Sequence, residues 1–320
     1  MKIFRKSRNR INLESKLALI RLLRTFKNLK GQNQFLIFSD PRGGSTWLAE
    51  ILESIPGTAI VWEPLNIKYV KPFSDLNFGW RQYIPENESW HEAYLVFNKV
   101  LTGKIINEWT MLKTDVQSYI NASQFIIKFC RGNMLLPWLI NQFIFRFSPV
   151  YLLRHPFAVV SSQLKQGGWD YPVKQFTIPD IPYNDIFLKH KKFLNSLSSK
   201  DEILTAYWCL SNQVPLNHKK NNIGWITVFY ENLLLDPDAE IKRIFSRWNL
   251  ELPDGIQKKY RVKSSTTVDS TKLQDPYEQL GRWQKDLKSV QLDRMIRVLD
   301  YFQINQYSSK DVTPQILLSD

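Results

Sequence analysis

Residues 41–48 read Pro-Arg-Gly-Gly-Ser-Thr-Trp-Leu and follow the apolar run 34–39, QFLIFS. Arg42 is a permanent cation with a planar donor fork. Gly43 and Gly44 allow backbone conformations closed to other residues and let a ligand approach the chain closely. Ser45 and Thr46 add hydroxyl donors and a candidate helix N-cap. The N–H groups and dipole of the helix that follows would favour an anion there. The composition suits a phosphate-type ligand but is not a Walker A loop, because no Lys precedes the Ser-Thr pair. A small-residue turn that only caps a helix has the same composition.

A second candidate lies in PVYLLRHPFAVVSSQLKQ, residues 149–166. Arg154 ends an apolar run, Pro156 suits the first position of a helix, and Ser162 falls two turns along it. An arginine there is placed for a phosphate, or equally for a structural ion pair.

These residues need elements that bring them together. Short apolar runs recur at 34–39, 58–64, 124–129, 149–154 and 225–230, with the length and the β-branched or aromatic content of buried strands. Helical patterns alternate with them at 47–52, 91–101, 135–145, 156–166 and 203–216, with a last helical region at 284–302. Such alternation predicts a mostly parallel sheet covered on both faces, whose ligands bind beyond the carboxyl ends of the strands. Residues 66–90 and 167–185, rich in Pro, Gly and aromatics, fit neither pattern and are expected to form part of a cleft. Residues 264–272 read as a polar loop.

The net charge of +13 is uneven. Ten Lys or Arg against Glu14 put +9 in the first thirty residues, leaving +4 for the other 290. A body so mildly basic makes a poor groove for a nucleic-acid backbone, so no nucleic-acid partner is expected. Within the arm, Leu19, Leu22, Leu23 and Phe26 share a helical side and Leu17 and Ile20 break the pattern. Two readings follow: a basic helix resting on anionic lipid through residues 1–30, or a helix docked on its own domain. Cys130 and Cys209, the two cysteines, exclude a disulfide scaffold and a cysteine zinc site and suit a reducing compartment. No signal-peptide pattern and no apolar run of spanning length occur, so a soluble, cytoplasmic chain is expected. The 11 Trp provide either a Trp-rich core or rings lining a cleft.

Residues 34–305 resemble the PAPS-dependent sulfotransferase family. Its P-[KR]-[ST]-G-[ST]-[ST]-[WF]-L motif matches Pro41 to Leu48, and its Arg followed eight residues later by Ser matches Arg154 and Ser162. WEPLN (62–66) resembles the E-P-[LV] segment of the carbohydrate-sulfotransferase branch; VFYENLLLDP (228–237) and LGRWQKDL (280–287) resemble later family segments. The resemblance implies a single P-loop-NTPase-like α/β domain at 34–306, with an arm at 1–33 and a tail at 307–320. It implies sulfuryl transfer by in-line displacement from PAPS (3′-phosphoadenosine 5′-phosphosulfate) to an acceptor hydroxyl, favouring a carbohydrate or glycolipid. Arg42, Gly43, Gly44, Ser45, Thr46 and Trp47 would hold the 5′-phosphosulfate end, Arg154 and Ser162 the 3′-phosphate. Arg42 would also neutralise charge on the leaving group. Glu63, where the resemblance puts a Glu, is the expected general base, and Lys128 is expected to touch the transferring sulfonate. No metal is expected.

Two positions depart from the pattern. Gly43 stands where the family has Ser or Thr. The cytosolic branch reads Lys-x-His where this chain has Lys128-Phe129-Cys130, so its histidine base is absent. The other classes open to the sequence are a P-loop-type small-molecule kinase and a non-catalytic basic protein that binds membrane or nucleic acid.

Overall fold

Side chains alternate between two apolar clusters along each strand, and this alternation builds the sheet. On β1 (Phe35–Ser39), Leu36 and Phe38 enter one cluster, Phe35 and Ile37 the other. The same division runs along β2 (Thr58–Trp62), β3 (Gln124–Cys130), β4 (Val150–Leu153) and β5 (Ile226–Phe229). All pairings are parallel, in the order β2-β3-β1-β4-β5. Strands buried on both faces need helices on both sides. One layer contains α1 (Ser45–Leu52), and its cluster includes Ile241, Ile244 and Phe245 of a later helix. The other contains α2 (Pro156–Lys165), α3 (Lys200–Leu216) and α5 (Ser289–Tyr301), with α4 (Pro237–Trp248) supplying the later helix of the first layer. This is the parallel, helix-flanked α/β arrangement that the alternation of strand and helix patterns predicts.

The computed structural model describes residues 14–22, 29–166, 175–266 and 275–315. Each predicted strand is present to within two residues at either end. The last predicted helical region is α5 preceded by a separate short helix, Arg282–Asp286. Trp138, Trp208, Trp225 and Trp283 are fully buried, as the core reading of the tryptophans expects, whereas Trp80, Trp90 and Trp109 are half-buried. The two cysteines are free and buried.

The arm requires a correction. Residues 14–22 form a helix that buries Leu17 and Ile20, the two residues that seemed to spoil the pattern, and leaves Leu19 and Leu22 exposed. The helix thus packs on the main core through a face narrower than the one the apolar residues outline, and Arg21 donates to the Ile106 carbonyl. Leu23 and Phe26 lie outside the described residues. Beyond the sequence-read domain, Tyr307 is buried and joins the core. No helix among the described residues is long and apolar enough to cross a membrane.

The two segments without periodicity meet. Asn77 Nδ2 donates to the Asp180 carbonyl (3.3 Å) and Gln82 Nε2 to the Pro182 carbonyl (2.6 Å), and Trp90 lies 5.4 Å from Tyr183. Residues 167–174 of the second segment lie outside the described residues.

Candidate active site

The residue just past each strand carries the site: Glu63, Arg131, Asp40, Arg154 and Tyr230 across the sheet from β2 to β5. Charge alternates along the first four of them. The turn between β1 and α1 projects from the middle of this row.

That turn is shaped by two left-handed residues, Arg42 (φ 71°) and Gly44 (φ 96°), and closed by the Gly43 N–H donating to the Asp40 carbonyl at 2.9 Å. Glycine is required at both inner positions. A Cβ on Gly44 would lie 2.3 Å from the Tyr230 ring, and one on Gly43 would lie 2.2 Å from Ser39 Oγ. The missing hydroxyl at Gly43 therefore has a local cause, since Ser39 fills the space. Gly44 is the N-cap of α1 and no side chain caps it. Ser45 and Thr46 lie inside the helix, which corrects their expected capping role.

The two arginine motifs converge. Arg42 Nε donates to Ser162 Oγ (3.0 Å) and Arg154 Nη1 donates to the Arg42 carbonyl (3.0 Å). The Arg154 guanidinium lies 4.3 Å from the centroid of the Tyr230 ring, and its Nε is buried without a hydrogen-bond partner. Neither arginine has an ion-pair partner among the described residues. Burial and then the Arg154 charge lower the pKa of Arg42, although the group stays a cation at any working pH. Two like charges with a spare buried donor, at an uncapped helix start, fit an anion of more than one charge. Trp47 is buried edge-on to Tyr230, 6.0 Å between centroids. It lines a cavity of about 260 Å³ beside the turn, with Glu50, Lys259 and Lys263.

On the other side of the turn, Lys128 is buried on β3 and its ammonium is fully engaged. It pairs with Glu63 Oε1 (2.9 Å), donates to Thr46 Oγ1 (3.1 Å), and lies 3.4 Å from the Trp62 ring centroid. Glu63 sits at φ 38°, just past β2 on the same carboxyl edge as Arg42. Burial alone would raise its pKa, but Lys128 and Arg131 outweigh burial and hold the carboxyl below the ordinary range. Trp109 Nε1 donates to the Glu63 carbonyl (3.2 Å), and Tyr69 stacks on Trp109 at 4.6 Å. The pair is thus held to the Glu63 backbone at the end of β2. Cys130 cannot replace the absent histidine: burial, then the Glu63 charge, pushes its thiol up to about 12.

None of the histidines stands in for the base either. His155 Nε2 meets the Ser308 and Asp311 carbonyls, and its Nδ1 accepts from the Phe157 N–H. Burial pushes its pKa down to about 4. Its ring stacks on Trp283 at 4.9 Å, so it joins the strand end at Arg154 to the C-terminal segment. Buried Glu231 completes that junction, accepting from the His155 N–H (2.8 Å) and from the Tyr307 hydroxyl (2.9 Å). His190 contacts Tyr301 and His218 contacts Glu86, away from the turn.

Two groups at the site carry no sequence signal. Asp40 and Arg131 read only as residues after a strand. A further contact comes from the polar loop: the Thr266 carbonyl accepts from Arg42 Nη1 (3.4 Å), and the Ser265 N–H donates to Glu50. The rest of that loop, 267–272, lies outside the described residues. No group of three or more His, Cys, Asp or Glu able to hold a metal ion occurs among the described residues.

No family model matches the chain, and no curated protein matches it. Among solved structures it is similar to the sulfotransferase domain from the Synechococcus PCC 7002 olefin synthase (17% identity, 87% of this chain and 98% of that one, TM-score 0.48). It is also similar to the sulfotransferase domain from the curacin biosynthetic pathway (16%, 85% and 97%, TM-score 0.43). A third is mouse sulfotransferase SULT7A1 complexed with PAP (16%, 92% and 90%, TM-score 0.46).

Proposed function

We propose that the chain is a sulfotransferase that uses PAPS and sulfates a hydroxyl, on a carbohydrate or glycolipid acceptor. The observation that carries this reading is the convergence of Arg42, Arg154 and Ser162 on one uncapped helix start, with a buried donor of Arg154 left over. Two separate anionic groups on one ligand match two arginines from separate motifs.

PAPS supplies an activated sulfuryl group and a phosphate leaving group. The chain's residues bind and orient it and stabilise charge, which carry most of the catalysis in transfers of this kind. Arg154 and Ser162 hold the 3′-phosphate. The α1 backbone from Gly44 onward, with Ser45 and Thr46, holds the 5′ end, and Arg42 neutralises charge developing on the leaving oxygen. Trp47 would pack beside the nucleotide.

Lys128, held between Glu63 and Thr46, would meet the sulfuryl group of a donor bound at the turn. While paired with Lys128, Glu63 is a weak proton acceptor. An anionic donor oxygen beside Thr46 would draw on the same ammonium, loosen its pair with Glu63 and restore the carboxylate's basicity. The Tyr69–Trp109 pair beside Glu63 supports a sugar acceptor, because stacked rings offer a flat apolar platform. Exposed Leu19 and Leu22, on a basic arm, suit peripheral contact with an anionic membrane and so a glycolipid.

Incubation with PAPS and paired sets of glycosides, glycolipids and phenols tests this, with PAP release and acceptor mass as the readouts. PAP release that depends on a glycoside or glycolipid, with an added sulfate on it, is expected. Release that no acceptor accelerates, or a phenol alone as acceptor, would contradict the assignment.

A further inference from the structure

Asp40 is a buried carboxyl, 4% exposed, directly before the phosphate-type turn, and the chemistry above makes no use of it. Its Oδ2 accepts from Asn212 Nδ2 on α3 (2.6 Å) and from Asn133 Nδ2, just after β3 (3.4 Å). Asn212 Oδ1 accepts in turn from Asn133 Nδ2 (2.9 Å) and from the Tyr151 hydroxyl on β4 (2.7 Å). One polar network thus joins β1, the exit of β3, β4 and α3, the elements that place Arg42, Lys128 and Arg154. Asp40 Oδ1 has no partner. The groups that face the carboxyl are the guanidinium charges of Arg81 and Arg131, the Tyr151 hydroxyl, the Cys209 thiol, and the two asparagines. Arg81 lies over the Tyr207 ring at 4.7 Å and Arg131 over the Trp80 ring at 4.5 Å, both on left-handed backbone.

We propose that Asp40 is a positioning residue: its buried carboxylate anchors the Arg42–Gly44 turn to the exit of β3 and to α3. The role rests on the donor reading given above. Burial raises the pKa of Asp40 to about 6, against the pull of Arg81, Asn212 and Arg131. A carboxyl raised in this way binds its proton more readily in the folded chain. The stability it contributes is therefore full at acid pH and is lost as pH rises through about 6. At neutral pH the ionised group costs the fold stability, and its retention there is explained by the site rather than by folding.

Asp40→Asn tests this, because its amide oxygen can still accept from both asparagines while the charge is gone. Calorimetric titration with PAP and thermal midpoints would be recorded for wild type and D40N between pH 5.5 and 8. The expected result at pH 7.5 is a midpoint higher by a few degrees in D40N, with PAP bound roughly tenfold more weakly. The affinity ratio of the two proteins should fall toward one at pH 5.5, a comparison from which the titration of PAP itself cancels. A ratio that is constant with pH, or equal affinities throughout, overturns the proposal. Asn212→Ala is the second variant. It removes the shortest hydrogen bond to the carboxylate, so the acid loss of PAP affinity should move to higher pH, and an unmoved limb overturns the proposal. Wild type that binds no PAP, with the midpoint difference still changing with pH, would refute the donor reading and leave Asp40 a buried acid with no positioning role.

Discussion

The two sides of the β1–α1 turn handle charge in opposite ways. On the β4 side, Arg42 and Arg154 are held together without a carboxylate, and Arg154 Nε is left without a partner. On the β2 side, Lys128 is matched to Glu63 and every direction around its ammonium is filled. The unbalanced side is built to receive negative charge from outside the chain. The balanced side is built to be disturbed, since its ion pair changes only when something draws Lys128 away. A site that moves an anionic group between two partners needs both kinds of construction.

Variants can break this contrast, beginning with the largest effect. Arg42→Ala removes the cation proposed for the leaving oxygen and should lower kcat by about 10²–10³-fold with the fold retained, read from turnover beside circular dichroism. Lys128→Ala leaves Glu63 buried beside the turn without its partner and should cost on the order of 3 kcal/mol in denaturant unfolding. The same pair has a pH signature. Glu63 is held below the ordinary range, so the stability it contributes is present at neutral pH and is lost as pH falls through its folded-state pKa. Acid titration of stability should therefore be shallower in Glu63→Gln than in wild type.

Gly44→Ala places a Cβ 2.3 Å from the Tyr230 ring at φ 96° and should cost about 2 kcal/mol, seen as a lower thermal midpoint and weaker PAP binding. Ser162→Ala removes one hydroxyl from the donor side and should weaken PAP by about fivefold, roughly 1 kcal/mol. If Lys128→Ala and Arg42→Ala had interchangeable effects on stability and turnover, the contrast between the two sides would be lost.

The elements that bring Arg42, Arg154 and Ser162 together were legible in the sequence because they are local: strand, turn and helix follow one another within residues 35–52, and Arg154 to Ser162 repeats the pattern. The sheet was legible for the same reason, as each strand is a short, mostly apolar run. Asp40 and Arg131 were not, because a charged residue after a strand looks the same whether it faces water or a buried network. Asp40 is known by Asn212, 172 positions away, and nothing near either residue announces the other. The arm failed differently. Leu19 and Leu22 are as apolar as Leu17 and Ile20, and only the surface against which the helix packs decides which pair is covered. Gly43 became intelligible through Ser39, whose hydroxyl occupies the place a side chain would take.

The reading proposed above has the unbalanced side hold a nucleotide with phosphate at both its 3′ and 5′ ends. Calorimetric titration of wild type and Arg154→Ala with PAP, AMP and ATP tests it most directly. The account predicts tight binding of PAP by wild type, at least a hundredfold weaker binding of AMP and ATP, and loss of the PAP preference in the variant. Preference for ATP, or PAP binding unchanged by the substitution, would contradict it.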